Sequence, residues 1–148
     1  MKKISLLFLL FVAMNAVKAQ DEKQIILSDK VDLKIELGDS YGRISLTPDE
    51  IKQADSLVAK YMLDNHNKYA WTEKVDNYYT YYRQYAGYNM GGKRMIFINA
   101  FSHKFDTSSD EFLHETLVSV RGGGSSFFSI KVDVKSMGCS DLRVNAPK

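Results

Sequence analysis

Apolar positions recur along this chain with two periods, one of two residues and one of 3.6. In residues 31–37, Val31, Leu33, Ile35 and Leu37 alternate with Asp32, Lys34 and Glu36, the pattern of a half-buried strand. Further on, Ile51, Ala54, Leu57, Val58, Tyr61 and Met62 share one helical face while Lys52, Gln53, Ser56, Lys60 and Asp64 point away. This predicts one amphipathic helix. Thr47 is its N-cap, Pro48 takes the first helical position, where a missing N–H costs nothing, and Glu50 completes a capping box. Leu46 and Ile51 have the spacing of a hydrophobic staple.

The rest of the chain is organised around residues 78–101. A tyrosine-rich run over 78–90 and a nearly all-apolar run over 94–101 are separated by Gly91 and Gly92, which predicts two antiparallel strands joined by a tight turn. Alternation places Tyr79, Tyr81, Arg83, Tyr85 and Gly87 on one face of the first strand. A charge is rarely buried unpaired, so this face is expected to meet water. The second strand is apolar on both faces and belongs in the middle of a sheet or against another chain. A second hairpin is expected from 116–121, a Gly122–Ser125 turn, and 126–135, where Phe128, Ile130, Val132 and Val134 alternate with Ser129, Lys131, Asp133 and Lys135. Residues 142–145 read as a final strand, 20–30 as a loosely held segment, and 102–111 as a surface loop.

These elements predict an α+β fold. One N-terminal amphipathic helix packs on a curved antiparallel sheet of about four to six strands, cystatin-like in outline. A small barrel plugged by the helix is the rival arrangement.

The N-terminus changes the picture of where the protein acts. Lys2 and Lys3 precede an apolar run from Ile4 to Ala13, and Val17-Lys18-Ala19 resembles a cleavage site. Residues 1–19 are therefore expected to be a secretory signal peptide, too short in its apolar part to cross about 30 Å of hydrocarbon. Residues 20–148 would form a single domain in the periplasm or outside the cell, with no membrane insertion after the signal is removed. Losing Lys2, Lys3 and Lys18 takes the formal charge from +2 to −1, which argues against nucleic acid as a partner. The single cysteine, Cys139, cannot form a disulfide within the chain. It is read as a small apolar residue, a thiol pairing with another chain, or a nucleophile.

Motifs for chemistry are weak. Gly122-Gly123-Gly124 precedes a strand rather than the helix that a phosphate cradle needs. His103 and His114, with Asp106, Asp110 and Glu115, match no metal-ligand spacing. No nucleophile elbow occurs, and Asp49-Glu50 is accounted for by the helix start. No catalytic residue, cofactor or metal is implied. The tyrosines are the remaining feature, because Tyr beside Arg is enriched at binding surfaces. Tyr79, Tyr81, Arg83 and Tyr85, with Phe127 beside the second turn, form the candidate binding face.

Four stretches together resemble small secreted proteins of Bacteroidetes-type bacteria: Tyr81-Tyr82-Arg83-Gln84-Tyr85-Ala86-Gly87-Tyr88, Ile96-Phe97-Ile98-Asn99-Ala100-Phe101, Gly123-Gly124-Ser125-Ser126-Phe127-Phe128 with Lys131-Val132, and Asp141-Leu142-Arg143-Val144-Asn145. The resemblance implies secretion and single-domain size and carries no activity. A cystatin inhibitory turn would have to fall at Gln84-Tyr85-Ala86-Gly87-Tyr88, which lacks its valine and final glycine. The expectation is an exported, non-enzymatic binding domain for a protein or glycan. The alternatives are a small hydrolase with its pocket between helix and sheet, or an envelope protein that forms a homodimer through residues 94–101 or Cys139.

Overall fold

The computed structural model describes residues 21–64, 75, 77–105 and 108–147. The expected signal peptide, Trp71, Asp106 and Thr107 lie outside the described residues. The tyrosine-rich hairpin is the middle of the sheet. Strands β3 (Tyr82–Met90) and β4 (Lys93–Phe101) pair antiparallel in unbroken register from Tyr82↔Phe101 to Met90↔Lys93. Gly91 and Gly92 have φ of 56° and 77°, the left-handed pair that a two-residue turn needs to follow the strand twist. β4 continues to β5 (Phe127–Asp133), and β5 to β6 (Gly138–Val144), both antiparallel. With both of its edges paired, β4 is the central strand that its two apolar faces predict.

The other edge of β3 is shared by two short strands. β1 (Gln24–Ile26) runs parallel to it over residues 83–85, and β2 (Gly42–Ile44) runs antiparallel to it over residues 87–89. The sheet therefore has six strands and is mixed, where a purely antiparallel one was expected. The segment expected to be loosely held supplies β1 and buries Ile25 and Leu27.

The amphipathic helix forms over Pro48–Asp64, with its capping box in place. Thr47 N–H donates to Glu50 Oε2 at 2.8 Å, and Glu50 N–H donates to Thr47 Oγ1 at 3.2 Å. Ile51, Ala54, Val58 and Met62 pack against Tyr81, Tyr85, Ile96, Ile98, Ile130 and Val132 on one face of the sheet. The helix is not the N-terminal element, since β1, β2 and a single helical turn precede it.

That turn, α1 (Lys34–Leu37), replaces the strand expected over 31–37; the long helix is accordingly α2. Asp32 Oδ1 accepts from Lys34 N–H at 2.9 Å, and Leu37 N–H donates back to Leu33 O at 2.8 Å, so local bonds close a turn where a ladder was expected. Leu33 and Leu37, four apart, bury together, while Ile35 is 94% exposed. An alternating run of seven residues is compatible with either spacing.

The second expected hairpin also fails. Residues 116–121 form no strand, and β5 pairs with β4 and β6 instead. A short helix, α3 (Asp110–Glu115), interrupts what was expected to be a loop, with Ser109 as its N-cap. The chain from 113 to 120 then crosses the sheet face opposite α2, beside the segment from 27 to 41. Both faces of the sheet are thus covered, and the tyrosine strand has no solvent face.

Candidate functional site

The expected binding face is largely interior. Arg83 and Tyr85 are fully buried, Tyr81 and Phe127 nearly so, and only Tyr79, on a 3-10 turn before β3, is exposed. Alternation placed Tyr81, Arg83 and Tyr85 on one face correctly, but that face lies beneath α2. What allows a buried arginine is two carboxylates, Asp21 ahead of β1 and Asp55 on the helix. Asp55 is 3% exposed and sits on the apolar side of α2, four residues after Ile51 and three before Val58.

Asp55 gathers a closed polar cluster. Its Oδ1 accepts from the hydroxyls of Tyr78 at 2.6 Å and Tyr85 at 2.7 Å, and its Oδ2 accepts from Gln24 Nε2 at 2.9 Å. Arg83 Nε lies 3.8 Å from the same Oδ1 and donates to Tyr85 Oη at 2.9 Å. The guanidinium also donates to Asp21 and to Tyr79 O, and lies against the rings of Tyr78 and Tyr79. Burial, then the Asp55 charge, push the Tyr85 hydroxyl well above its ordinary pKa. Tyr78 is raised too, by burial first and then by its neighbours Tyr85 and Asp55. Both phenols therefore stay protonated and act as donors. For Arg83, burial works against the charge, but Tyr85 and Asp55 outweigh it and hold the guanidinium cationic.

The space between helix and sheet thus contains a buried ionisable group, Asp55, which is not among the apolar-face residues read from the sequence. The signal was an Asp at an apolar-face position. Each polar atom in the cluster is occupied by another, and the clefts described among these residues are not lined by Asp55, Tyr78 or Tyr85. Such a cluster specifies how the helix, β1 and β3 dock. Tyr81 is likewise a packing residue: its hydroxyl donates to Ser125 O at 2.9 Å, and its ring meets Phe128 edge-on. Phe127, expected to face outward, stacks on Phe105 and meets His103 edge-on.

The opposite face has a second buried polar device. Gln84 and Asn99 are cross-strand partners on β3 and β4. Gln84 Nε2 donates to the carbonyls of Leu113 and Thr116, both at 2.7 Å, while its Oε1 accepts from Val118 N–H at 3.0 Å. Asn99 Nδ2 bridges Gln84 Oε1 and Val118 O, and Asn145 Nδ2 reaches Val120 O and Gly122 O. Side-chain amides therefore take the place of the missing strand ladder over 116–121.

Of the clefts that carry charged side chains, two adjoin β1. One, beside α3, is lined by Asp21, Glu22, Lys104, Asp110 and His114. Four of its groups are committed: Lys104 pairs with Asp110 at 3.0 Å, Asp21 with Arg83, and His114 Nδ1 lies 2.7 Å from Ile26 O. Among the described residues no group of three or more His, Cys, Asp or Glu is placed to hold a metal.

The other cleft opens where β1 and β2 part company along the edge of β3. It measures about 350 Å³ and is lined by Ile26, Leu27, Ile44 and Leu46, with Asp29 and Arg43 as its charged groups. Gly87 forms part of its wall, and a Cβ there would come within 2.7 Å of both Ile44 O and Leu46 Cδ2. Arg43 is held by two carbonyls: Nη2 donates to Leu27 O at 3.0 Å and Nη1 to Val31 O at 3.3 Å. Its Nε is enclosed and has no acceptor, the sole such side-chain atom among the described residues. Nor does any described carboxylate come within ion-pair distance of Arg43, in contrast to Arg83, Arg94 and Arg143.

Nothing in the sequence marked Arg43, which follows an unremarkable turn and is the middle residue of β2. Its setting arises only when two strands distant from β3 in sequence meet on one edge. Comparison with family models, curated proteins and solved structures finds no match to this chain.

Proposed function

We propose that the protein is an exported, non-enzymatic binding module that takes its ligand in the cleft between β1 and β2. The observation that carries this reading is the cleft itself, where Arg43, a partly buried cation with no ion-pair partner among the described residues, stands with Asp29 and Ser45 among apolar side chains. The volume falls within the range of small-molecule sites. The tyrosines, by contrast, are engaged in the core, which moves the binding surface away from Tyr81, Arg83, Tyr85 and Phe127. Tyr79 remains an exposed aromatic at the far end of β3.

Export rests on Lys2, Lys3, the apolar run from Ile4 to Ala13 and the resemblance to small secreted bacterial proteins. A helix cradled by a curved sheet, as in cystatins, is the layout this reading adopts. Chemical-shift mapping of the chain from Gln20 onward, titrated with a library of small anionic and neutral fragments, tests the proposal. Shifts concentrated at Ile26, Arg43, Ile44 and Gly87 are expected. Shifts concentrated around Tyr79, or none at all, would remove the cleft as the ligand seat.

A further inference from the structure

We infer that residues 116–120 form an open strand edge on which a second copy of this chain docks, its own 116–120 paired antiparallel. The fold bonds this segment from one side only, at every second residue. Thr116 O accepts from Gln84 Nε2, Val118 N–H donates to Gln84 Oε1, Val118 O accepts from Asn99 Nδ2, and Val120 O accepts from Asn145 Nδ2. Thr116 has the extended backbone this spacing requires, with φ −136° and ψ 127°. Successive residues of an extended chain turn their N–H and C=O to opposite edges. Leu117 and Ser119 therefore direct theirs away from the amides, and among the described residues none of these groups is hydrogen-bonded. Ser119 is exposed, which leaves that edge open to a partner. A row of unused backbone donors and acceptors is a template for a further strand. β6, the outer strand of the sheet, is by contrast interrupted at Asp141, φ 52°, where its register with β5 slips, and a bulge blunts an edge.

Charge selects the occupant and the register. Glu115 and Arg121 flank the segment, are exposed, and have no ion-pair partner among the described residues. An antiparallel copy centred on Val118 sets Leu117 of each chain opposite Ser119 of the other, each pair exchanging both of its N–H···O bonds. The same register brings Glu115 of each chain to the end where Arg121 of the other stands, so both ends of the ribbon carry opposite charges. A parallel copy in register would oppose like charges. Each copy uses the same edge, so the two-fold pairing is closed and stops at a dimer.

The test is sedimentation velocity of the chain from Gln20 at rising concentration, with variants altered at groups that the fold does not use. An edge this short covers less than a standard interface, so a monomer–dimer equilibrium in the upper micromolar range is expected. Ser119→Pro removes an N–H that no described group accepts and should abolish the dimer, with folding checked by circular dichroism. Glu115→Arg alone and Arg121→Glu alone should each weaken self-association about fivefold or more. An equimolar mixture of those two should form a heterodimer about as tight as the parent dimer, because every pair in it is again opposite in charge. Should the proline variant not fold, the mixture decides. A parent still monomeric at about 1 mM, a folded Ser119→Pro that dimerises, or a mixture no tighter than its components would each overturn the inference.

Discussion

Tyr85 on the central hairpin donates its hydroxyl to Asp55 on α2 at 2.7 Å, with both residues out of contact with water. This bond joins the sheet to the helix through polar atoms in the middle of an apolar interface. Its oxygen also receives Arg83 Nε, so a cation, a phenol and a carboxylate are satisfied as one unit. Breaking one member strands the others. Asp55→Ala should cost about 3–5 kcal/mol, because it leaves Arg83 buried with its helix counter-charge gone. Tyr85→Phe should cost about 1–3 kcal/mol, since Asp55 keeps its bonds from Tyr78 and Gln24. Urea unfolding of both variants checks the order. Equal, small losses would show that the cluster is not coupled as described.

The same cluster predicts the fate of the paired substitution Tyr81→Ser, Arg83→Ser. Had those side chains lain on an open face, the variant would fold normally. In this structure it removes an aromatic from the core and leaves Asp55 without its cation. The double variant should lose its cooperative thermal transition, whereas Tyr79→Ser, at a position 51% exposed, should shift Tm by no more than a few degrees.

Gln84 should govern the order of residues 113–118. Gln84→Leu leaves the Leu113 and Thr116 carbonyls and the Val118 amide without the partners that hold them. Hydrogen exchange at the Val118 amide should accelerate by at least about tenfold, while amides of the β3–β4 ladder keep most of their protection. Unchanged exchange at Val118 would mean that packing alone holds the crossing segment.

Glu50 should make stability depend on pH in the acid range. Its carboxylate receives Arg94 Nε at 2.5 Å and Nη2 at 2.9 Å, as well as Thr47 N–H. The Arg94 hydrogen bonds, helped by Thr47, hold its pKa near 2, down from 4.5. A depressed carboxylate stabilises the fold above its unfolded pKa, and that contribution is lost as pH falls from about 4.5 towards 2. Solvent screening at this partly exposed pair limits the effect to about 1 kcal/mol. Glu50→Gln should therefore be less stable than the parent at pH 7, with the gap closing near pH 2. A gap that does not change with pH would contradict this assignment.

Gly87 is where the cleft and the fold meet. Any side chain there collides with Ile44 O, which is backbone and cannot swing away. Gly87→Ala should cost about 1–3 kcal/mol and weaken β2 pairing. Faster hydrogen exchange across residues 42–44 would register it.

Some of this molecule was determined by local chemistry that sequence displays. The Thr47–Glu50 capping box, Pro48 and the 3.6-residue apolar stripe define α2 through contacts within a few residues of one another. Gly91 and Gly92 supply the φ > 0 of the hairpin turn, and the two apolar faces of residues 94–101 anticipate a strand enclosed on both sides. Alternation in 127–133 likewise sorts Phe128, Ile130 and Val132 from Ser129 and Lys131. Each of these depends on neighbours in sequence.

Tertiary structure decided the rest, because the deciding partners lie far along the chain. Alternation grouped Arg83 with Tyr81 and Tyr85 but could not say which side was wet; Asp55, 28 residues earlier, and Asp21 offset the cost of burying a guanidinium. Residues 116–121 have strand-like composition, yet Gln84, Asn99 and Asn145 capture their backbone before a neighbouring strand can. Leu33 and Leu37 suit a strand or a turn equally, and Asp32 tips the balance by bonding the Lys34 amide. The cleft around Arg43 exists only because β1 and β2, separated by a helical turn, share one edge of β3 in opposite directions. Periodicity records which residues share a face; what covers that face is settled by long-range pairing of charge and backbone, which has no period.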